Sequence, residues 1–209
     1  MRARPAGLQI IFHRRLSELV IAGGMDYPVI YFDRDGVLNR FTRGKYVNAP
    51  ADVVAMPTAA ATVQAALRLT PFVFVVSNQA GVHHRFMTPS DLDAVDARLW
   101  ELLACNPLAS LYCTHDPEAG CPCRKPRTGM IDTARDLVRA LGVRIGAEVM
   151  LGDNVTDEKT ATAAGVDFVL VSDGPGVAFA PWLASLQRAE DQPEHFPQGP
   201  ATAGSQRER

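Results

Sequence analysis

Apolar runs of strand length recur along most of the chain, and each of them ends in polar residues. Three of these runs, residues 28–32, 71–76 and 148–151, are almost wholly apolar, which is typical of strands buried on both faces of a parallel sheet. Shorter strands are predicted at residues 108–112 and 166–171. The pattern therefore predicts a sheet whose central strands have no face open to solvent.

Helical segments separate these strands. Helices are predicted over residues 58–69, 88–104, 131–141 and 157–164, the first of them with Thr58 as its N-cap. Strands that alternate with helices indicate an α/β fold with a doubly wound parallel sheet. Right-handed crossovers bring the carboxyl ends of the strands to one edge, where open α/β sheets bind ligands.

The two ends of the chain stand outside this pattern. With 209 residues, 47% of them hydrophobic, the chain is long enough for one well-packed domain, which we predict over residues 25–175. Residues 1–24 are predicted to be an appendage, either a mis-assigned start or a helix over residues 12–22 that packs on the domain. Residues 176–209 are predicted to be an extension, largely disordered from about residue 190 because Pro, Gln, Gly and charged residues dominate there.

Charge and hydropathy narrow the class of protein. A formal net charge of −2 shows no basic excess, so non-specific binding to nucleic acid is not expected. No apolar run approaches the length that spans a bilayer, and the N-terminus lacks the long apolar region of a signal peptide. We therefore expect a cytoplasmic, monomeric protein that acts on a small molecule.

Two carboxylates follow the first central strand. Side chains alternate along an extended chain, so Asp33 and Asp35 are predicted to point to one side and Arg34 to the other. Carboxylates that share a small volume either hold a divalent cation or divide into an ionised nucleophile and a protonated acid. Both arrangements suit metal-assisted phosphoryl transfer. The alternative is a surface turn that is simply rich in Asp and Gly.

Other strand ends supply further polar side chains. Ser77 follows the second central strand and Asp153 follows the third, so both are predicted to lie near Asp33. Lys125 arrives on a loop. Taken alone, a Ser at a strand end is a common cap and a Lys is a common surface charge. The prediction of a shared site therefore rests on the order in which Asp33, Ser77, Lys125 and Asp153 follow one another along the chain.

Three of the four cysteines lie close together with a histidine. Cys113, His115, Cys121 and Cys123 offer three thiolates and an imidazole, a set that suits tetrahedral Zn²⁺ with no position left for water. We predict a structural zinc that clips this loop and fixes the direction of the residues after Cys123. Reduced thiols beside an incidental histidine are the alternative. Cys105 is predicted to be a small core residue.

The ordered motifs resemble those of the haloacid dehalogenase (HAD) superfamily of phosphatases. The resemblance rests on Asp33-Arg34-Asp35-Gly36-Val37, Ser77, Lys125 and Gly152-Asp153 with Asp157. Tyr46-Val47, Ser77-Asn78-Gln79 and Cys123-Arg124-Lys125-Pro126 are similar to a subfamily of heptose-bisphosphate and histidinol phosphatases. The resemblance covers about residues 25–171 and implies a HAD fold; the segments between the motifs are too short for a large cap domain.

The resemblance also implies a role for each residue. Asp33 would attack phosphorus and become an aspartyl phosphate, with Mg²⁺ held by Asp33, the backbone carbonyl of Asp35 and Asp153. Asp35 would protonate the leaving oxygen and then activate water. Ser77 and Lys125 would stabilise the phosphoryl group. A further carboxylate, Asp157, would orient Lys125 or a metal-bound water.

The sequence does not identify the substrate, but it offers candidate residues for binding it. Arg124 is a candidate for binding a non-reacting polar or anionic group of the substrate. Asn78 and Gln79 are candidates for shaping the phosphate pocket or contacting substrate hydroxyls. His83 and His84 are either acid–base groups or ordinary surface histidines. The sequence departs from the subfamily at residues 82–86 and at Asn154, where heptose enzymes often have Lys.

Several functions therefore remain candidates. A heptose-bisphosphate-type sugar phosphate is the expected substrate, and histidinol phosphate is the first alternative. A polynucleotide 3′-phosphatase is a further one, because related end-processing enzymes share the Arg-Lys-Pro-x-x-Gly-Met pattern that begins at Arg124. A non-catalytic zinc-binding or phosphate-sensing module belongs to a different class, and the presence of both Asp33 and Asp35 argues against it.

Overall fold

The computed structural model describes residues 7–41, 46–172 and 175–190. In these ranges the chain forms a six-stranded sheet flanked by helices. The strands are β1 Leu8–Phe12, β2 Asp26–Phe32, β3 Val73–Asn78, β4 Ala109–Cys113, β5 Arg144–Gly152 and β6 Asp167–Leu170. The helices are α1 Ala59–Leu69, α2 Pro89–Leu103, α3 Gly129–Ala140, α4 Val155–Ala164 and α5 Pro175–Glu190.

The sheet has the order β1-β4-β3-β2-β5-β6. All neighbouring pairs are parallel except β1 with β4. From β2 the chain winds outwards through β3 and β4, and from β5 it winds the other way to β6. The carboxyl ends of β2 and β5 therefore flank the point where the winding reverses, the usual ligand site of such sheets. The predicted doubly wound α/β fold is confirmed.

Alternating side chains of the central strands build two cores. Ile30 and Phe32 of β2 pack with α1, α2 and α5, whereas Val29 and Tyr31 pack with α3 and α4. All four side chains are fully buried, and each contributes roughly 1.5–3 kcal/mol through its removal from water. The continuous apolar pattern of β2 arises because both of its faces are covered.

The N-terminal segment differs from the sequence-based expectation. Residues Leu8–Phe12 form the edge strand β1, antiparallel to β4, so this part of residues 1–24 belongs to the sheet. A single helical turn, Leu16–Glu18, lies where a helix over residues 12–22 was the alternative. The five-residue strand was missed because it is short and because its pairing with β4 depends on residues far along the chain. Where the native chain begins stays a prediction.

A C-terminal helix also differs from expectation. Helix α5 covers Pro175–Glu190, although the sequence loses its periodicity there. Phe179 and Trp182 are buried, and the ring of Phe179 lies 6.4 Å from that of Phe32 and 5.5 Å from that of Trp182. The predicted disorder from about residue 190 falls outside the described residues.

Two further features bear on the predicted class of protein. Between β2 and α1 and between β3 and α2, the described residues hold no helix or strand longer than the turn Pro50–Asp52, as expected for a fold without a large cap domain. Within the described ranges, the helices are too short or too polar to cross a lipid bilayer.

Candidate active site

The carboxyl ends of neighbouring strands bring the predicted catalytic side chains together. Asp33 directly follows β2, Ser77 lies near the end of β3, and Asp153 directly follows β5. Lys125 reaches the same place from the connection between β4 and α3. Asp33, Ser77 and Lys125 are at most 5% exposed, so their charges and dipoles interact with little screening by water.

Lys125 makes two ion pairs. Its Nζ lies 2.9 Å from Oδ1 of Asp33 and 2.6 Å from Oδ1 of Asp157. Burial alone lowers the pKa of Lys125, but the charges of Asp33 and Asp157 outweigh burial and raise this pKa above its usual value. Lys125 therefore stays protonated at neutral pH and joins two carboxylates that would otherwise repel each other.

Three carboxylates form a cluster that fits a hard divalent cation. One oxygen each from Asp33, Asp153 and Asp157 lies within 4.8 Å of the others, and Mg²⁺ prefers oxygen ligands. Burial raises the pKa of Asp33 to about 6 and also raises the pKa of Asp153, so the ionised cluster lacks compensating charge. A Cβ at Gly36 would collide with the Asp153 carboxylate, so the main chain after Asp35 passes directly beside the cluster.

Asp35 lies in a hydrogen-bond network of its own. Arg34 donates to it from Nε to Oδ1 at 3.0 Å and from Nη2 to Oδ2 at 2.9 Å. The side-chain amides of Asn39 and Gln79 donate to it at 3.0 and 2.9 Å. Burial raises the pKa of Asp35, but Arg34 and these hydrogen bonds outweigh burial and lower it overall. The Asp35 carboxylate is therefore ionised at neutral pH in this structure.

The position of Arg34 corrects the sequence-based prediction. Strand alternation predicts that Arg34 and Asp35 point to opposite sides, yet their side chains form a two-pronged contact. The reason is that β2 ends at Phe32. The following residues turn, with Gly36 at a φ of +86°, so the alternation of a strand does not continue through them.

Two residues predicted to shape the phosphate pocket or to contact substrate hydroxyls form hydrogen bonds within the protein. Asn78 donates to the backbone carbonyl of Lys125 at 3.1 Å and accepts from the Lys125 N–H at 3.0 Å. Gln79 donates to Asp35 and to Ser77, and accepts from Arg34. Asn78 thus fixes the main chain that carries the ammonium, and Gln79 ties the network of Asp35 to the end of β3.

Arg124 has unused hydrogen-bonding capacity. The residue is half-buried, and its Nη1 is buried without a hydrogen-bond partner among the described residues. A desolvated guanidinium N–H that lacks an acceptor is unfavourable. Arg124 therefore carries a guanidinium donor that no acceptor within the described residues satisfies.

Comparison with known proteins agrees with the phosphatase function that the sequence motifs predict. A family model described as HAD-hydrolase-like matches residues 122–198. The D-glycero-beta-D-manno-heptose-1,7-bisphosphate 7-phosphatase of Pseudomonas aeruginosa is 32% identical over 159 residues, which cover 73% of this chain and 85% of the relative. This chain belongs to the HAD-like phosphatases. It is a phosphoric monoester hydrolase, as the sequence predicts.

Two further similar proteins are also named as heptose-bisphosphate phosphatases. The D-glycero-alpha-D-manno-heptose-1,7-bisphosphate 7-phosphatase of Mycobacterium tuberculosis is 30% identical over 147 residues, 65% of this chain and 74% of the relative. A solved structure, the D,D-heptose 1.7-bisphosphate phosphatase of B. bronchiseptica complexed with magnesium and phosphate, is similar with a TM-score of 0.61 at 29% identity. It covers 74% of this chain and 86% of that chain.

The cysteine cluster of this HAD-like phosphatase has the geometry of a closed zinc site. Sγ of Cys121 lies 3.6 Å from that of Cys113 and 3.8 Å from that of Cys123, and Nδ1 of His115 lies 3.5 and 3.2 Å from Cys113 and Cys123. Tetrahedral bonds of about 2.3 Å to zinc require sulfur atoms about 3.8 Å apart. A hydrogen bond from Cys123 lowers the pKa of Cys113 to about 5, and the same contact raises the pKa of Cys123, so without zinc one proton stays on Cys123 while Cys113 is a thiolate.

The zinc ligands lead directly into the catalytic loop. Arg124 and Lys125 follow Cys123, and Arg127 donates to the carbonyl of Cys121 at 3.1 Å. At Gly129, a Cβ would collide with the carbonyl of Pro122, so the chain folds tightly back on itself here. Bound zinc would therefore hold Lys125 in register with Asp33.

We expect Cys123→Ser to lower the zinc content from about one ion per chain and to reduce phosphatase activity. Displacing positioned groups by about 1 Å can cost about 100-fold in rate, and Lys125 lies two residues from Cys123. Zinc analysis and phosphate release on the same samples measure both effects. Cys105→Ser is the matched control, because Cys105 lies outside the cluster; full activity in metal-free protein would contradict this role for zinc.

The departures from the heptose-phosphatase subfamily have structural explanations. Asn154, where Lys is frequent, caps α4 by accepting from the N–H of Thr156 at 2.8 Å, and it donates to Asp153 and Asp157. His83 lies 2.9 Å from Asp116 at the surface and joins its loop to the zinc loop. Neither residue replaces a carboxylate of the cluster formed by Asp33, Asp153 and Asp157.

Sequence reasoning gave no role to two residues that hold Asp35. Arg34 and Asn39 are at most 1% exposed, and both donate to the Asp35 carboxylate. Their burial is the missing information, since charged and amide side chains in a short polar motif are usually exposed. The signal that could have found Arg34 is its place between two carboxylates.

Proposed function

We propose that this phosphatase removes one phosphate from a heptose bisphosphate through a covalent phosphate on Asp33, with Mg²⁺ bound at the carboxylate cluster. One observation carries the proposal: Asp33 is buried, paired with Lys125 at 2.9 Å and clustered with Asp153 and Asp157. A nucleophile, a fixed cation and oxygen ligands thus meet at one strand end. The names of the relatives supply the substrate class.

The metal ligands follow from the cluster. Asp33, Asp153 and the backbone carbonyl of Asp35 would hold Mg²⁺, with Asp157 alongside. Bound there, the ion would neutralise charge on the phosphoryl oxygens. The similar structure from B. bronchiseptica is described as complexed with magnesium and phosphate, which supports the same ion here.

In the first step, a carboxylate oxygen of Asp33 attacks phosphorus. A bond forms between that oxygen and phosphorus as the bond to the sugar oxygen breaks, which leaves the phosphoryl group on Asp33. Lys125 and Ser77 stabilise the charge on the transferred oxygens. Asp157 holds the Lys125 ammonium in place at 2.6 Å, so the cation need not reorganise during transfer.

Asp35 handles the protons in both steps. Its pKa is lowered in the structure by Arg34 and its amide partners, and the negative charge of a bound phosphate ester raises its proton affinity again. Protonated Asp35 gives its proton to the leaving sugar oxygen. A water molecule then attacks phosphorus and returns a proton to Asp35, which releases inorganic phosphate and restores Asp33.

Arg124 favours a substrate with a second anionic group. Its buried Nη1 has no acceptor in the described parts of the chain, and a bisphosphate brings a non-reacting phosphate that can accept this hydrogen bond. Histidinol phosphate carries an amine and an imidazole away from its phosphate, and neither group is an anion. The free guanidinium donor therefore supports a heptose bisphosphate over histidinol phosphate.

We also propose where the protein acts and with which partners. It is proposed to be a cytoplasmic monomer that does not bind nucleic acid. The net charge of −2 argues against tight binding to DNA ends, because such binding relies on cationic side chains. Salt-sensitive activity on a 3′-phosphorylated DNA end would favour the polynucleotide alternative.

A substrate panel tests the proposed function. We expect the highest kcat/KM for one anomer of heptose 1,7-bisphosphate, ahead of histidinol phosphate and a 3′-phosphorylated DNA end, with release measured in Mg²⁺. Arg124→Leu should raise KM for the bisphosphate by about tenfold, the effect of roughly 1.4 kcal/mol. Heptose 7-phosphate is the matched control, since it lacks the phosphate assigned to Arg124. Equal effects on both substrates, or preference for histidinol phosphate, would refute the assignment.

A further inference from the structure

A buried polar cluster lies between the N-terminal segment, α2 and β4. His13 directly follows β1, and its Nε2 lies 2.9 Å from Oγ of Ser110 and 3.3 Å from Oδ2 of Asp96. The Tyr112 hydroxyl and the Trp100 indole N–H both donate to the other oxygen of Asp96. His13 thus provides the contact for the oxygen of Asp96 that Tyr112 and Trp100 leave unbonded.

This cluster needs an explanation other than stability. Asp96 is fully buried, and a carboxylate in a protein interior is unfavourable unless it is well paired, so apolar side chains would serve a core at least as well. Burial lowers the pKa of His13 even though Asp96 raises it. At neutral pH His13 is therefore a neutral hydrogen-bonding group and not a cation that forms an ion pair with Asp96.

The ring of Tyr112 joins this cluster to Arg34. The Cζ of Arg34 lies 5.5 Å from the centre of the Tyr112 ring, a typical cation–π distance, and both residues are at most 1% exposed. Arg34 thus lies between the Asp35 carboxylate, to which it donates two hydrogen bonds, and the Tyr112 ring, whose hydroxyl is bonded to Asp96.

We propose that His13, Asp96 and Tyr112 are positioning residues that hold Arg34, and through it Asp35, in the geometry that proton transfer to the leaving oxygen requires. The proposal rests on the proposed function, in which Asp35 supplies that proton. His13 and Asp96 hold the Tyr112 side chain in place, and its ring packs against the Arg34 guanidinium that binds Asp35. Without His13, Asp96 and Tyr112 lose a neighbour that fixes them, and the two-pronged contact between Arg34 and Asp35 loosens.

The proposal gives the N-terminal segment a part in catalysis. His13 lies before residue 25, where the domain was predicted to begin, and β1 holds it against β4 through the pairs Leu8↔Cys113 to Phe12↔Ala109. The backbone N–H of His13 also donates to the carbonyl of Leu108 at 3.1 Å. Edge strand and histidine are thus anchored to the strand that carries Tyr112.

The dependence of the rate on the leaving group distinguishes a residue that positions Asp35 from one that only stabilises the fold. A general acid matters most when the leaving oxygen is strongly basic. We expect His13→Leu to lower the single-turnover rate of phosphoryl transfer from heptose bisphosphate, an alkyl phosphate, to Asp33 by about tenfold, part of the 10²–10⁴-fold that general acids contribute. This rate is compared instead of kcat because Asp35 also assists hydrolysis of the aspartyl phosphate, a step that both substrates share. For p-nitrophenyl phosphate, whose leaving group needs no proton, the loss should stay below about twofold. KM should not change for either substrate.

Two further variants sharpen the test. His13→Gln keeps an N–H donor near Asp96 and should restore the single-turnover rate for the alkyl phosphate. In an Asp96→Asn background the residue through which His13 acts on Tyr112 is already altered, so His13→Leu should then add less than about twofold, a non-additive double-mutant cycle. If His13→Leu does not fold, Tyr112→Phe replaces it, because the ring facing Arg34 is kept while the hydroxyl on Asp96 is lost.

Leu8→Ala is the matched structural control. Leu8 lies on the same strand β1 and is buried, so its truncation should lower thermal stability and leave the alkyl-to-aryl rate ratio unchanged. If His13→Leu lowers the rate equally for both substrates, or gives the same alkyl-to-aryl rate ratio as Leu8→Ala, the proposed positioning role of His13 is wrong. A wild type that releases no phosphate, or Asp35→Asn without leaving-group dependence, marks instead a failure of the proposed function.

Discussion

Replacing Asp33 with asparagine is expected to lower kcat for phosphate release by about 10⁴-fold or more, the scale on which loss of a covalent nucleophile is measured in other hydrolases. A neutral amide cannot attack phosphorus as a carboxylate does. It also removes one of the three carboxylates that cluster around the proposed Mg²⁺ position. Phosphate release in Mg²⁺ with purified wild type and variant measures the effect.

The same substitution should not destabilise the metal-free protein. Burial raises the pKa of Asp33 from 3.8 to about 6. A folded-state pKa above the unfolded one means that stability is lost as the pH rises through about 6. Asparagine removes this penalty, and Lys125 keeps its ion pair with Asp157. A lower melting temperature at pH 7, or activity within tenfold of wild type, would contradict the role given to Asp33.

Lys125→Met is expected to impair both catalysis and stability. Methionine fills the space but leaves Asp33 and Asp157 buried without the cation that lies 2.9 and 2.6 Å from them. Breaking a buried ion pair by removing one partner costs about 3–5 kcal/mol. Losing a fixed donor to the transferred phosphoryl group should lower kcat by a further 10²–10³-fold, roughly as for other preorganised donors.

Lys159→Met is the control for that variant, since Lys159 is an exposed lysine of α4. Thermal unfolding and steady-state kinetics of both variants, with and without Mg²⁺, give the comparison. We expect Mg²⁺ to restore part of the stability that Lys125→Met loses, because a bound cation again offsets the clustered carboxylates. Similar behaviour of the two variants would mean that Lys125 is an ordinary lysine.

The ends of the central strands could be predicted because the pattern of the sequence is strong there. Uninterrupted apolar runs mark strands covered on both faces, and the first polar residue after each run marks its end. Asp33, Ser77 and Asp153 were placed at one sheet edge on this basis, and they lie there. The grouping of three thiols and an imidazole could also be predicted, because they lie within eleven residues of one another, and their side chains come together in the structure.

Features that depend on tertiary contacts could not be predicted. The strand Leu8–Phe12 exists because it pairs with β4, a partner about a hundred residues away. Helix α5 contains Pro181, and its buried aromatic residues find their partners on β2 and within the helix itself. The direction of Arg34 is set by the turn after Phe32. In each case the deciding contact lies outside the local pattern.

The central claim, that the phosphoryl group passes through Asp33, is tested most directly by trapping it there. The enzyme is quenched with acid while it turns over a substrate labelled in the scissile phosphate, and the protein is then reduced with borohydride and digested. We expect labelled protein before reduction and conversion of residue 33 to homoserine afterwards, and neither in Asp33→Asn. Full turnover with unlabelled protein at every quench time, or a label on another residue, would contradict the claim.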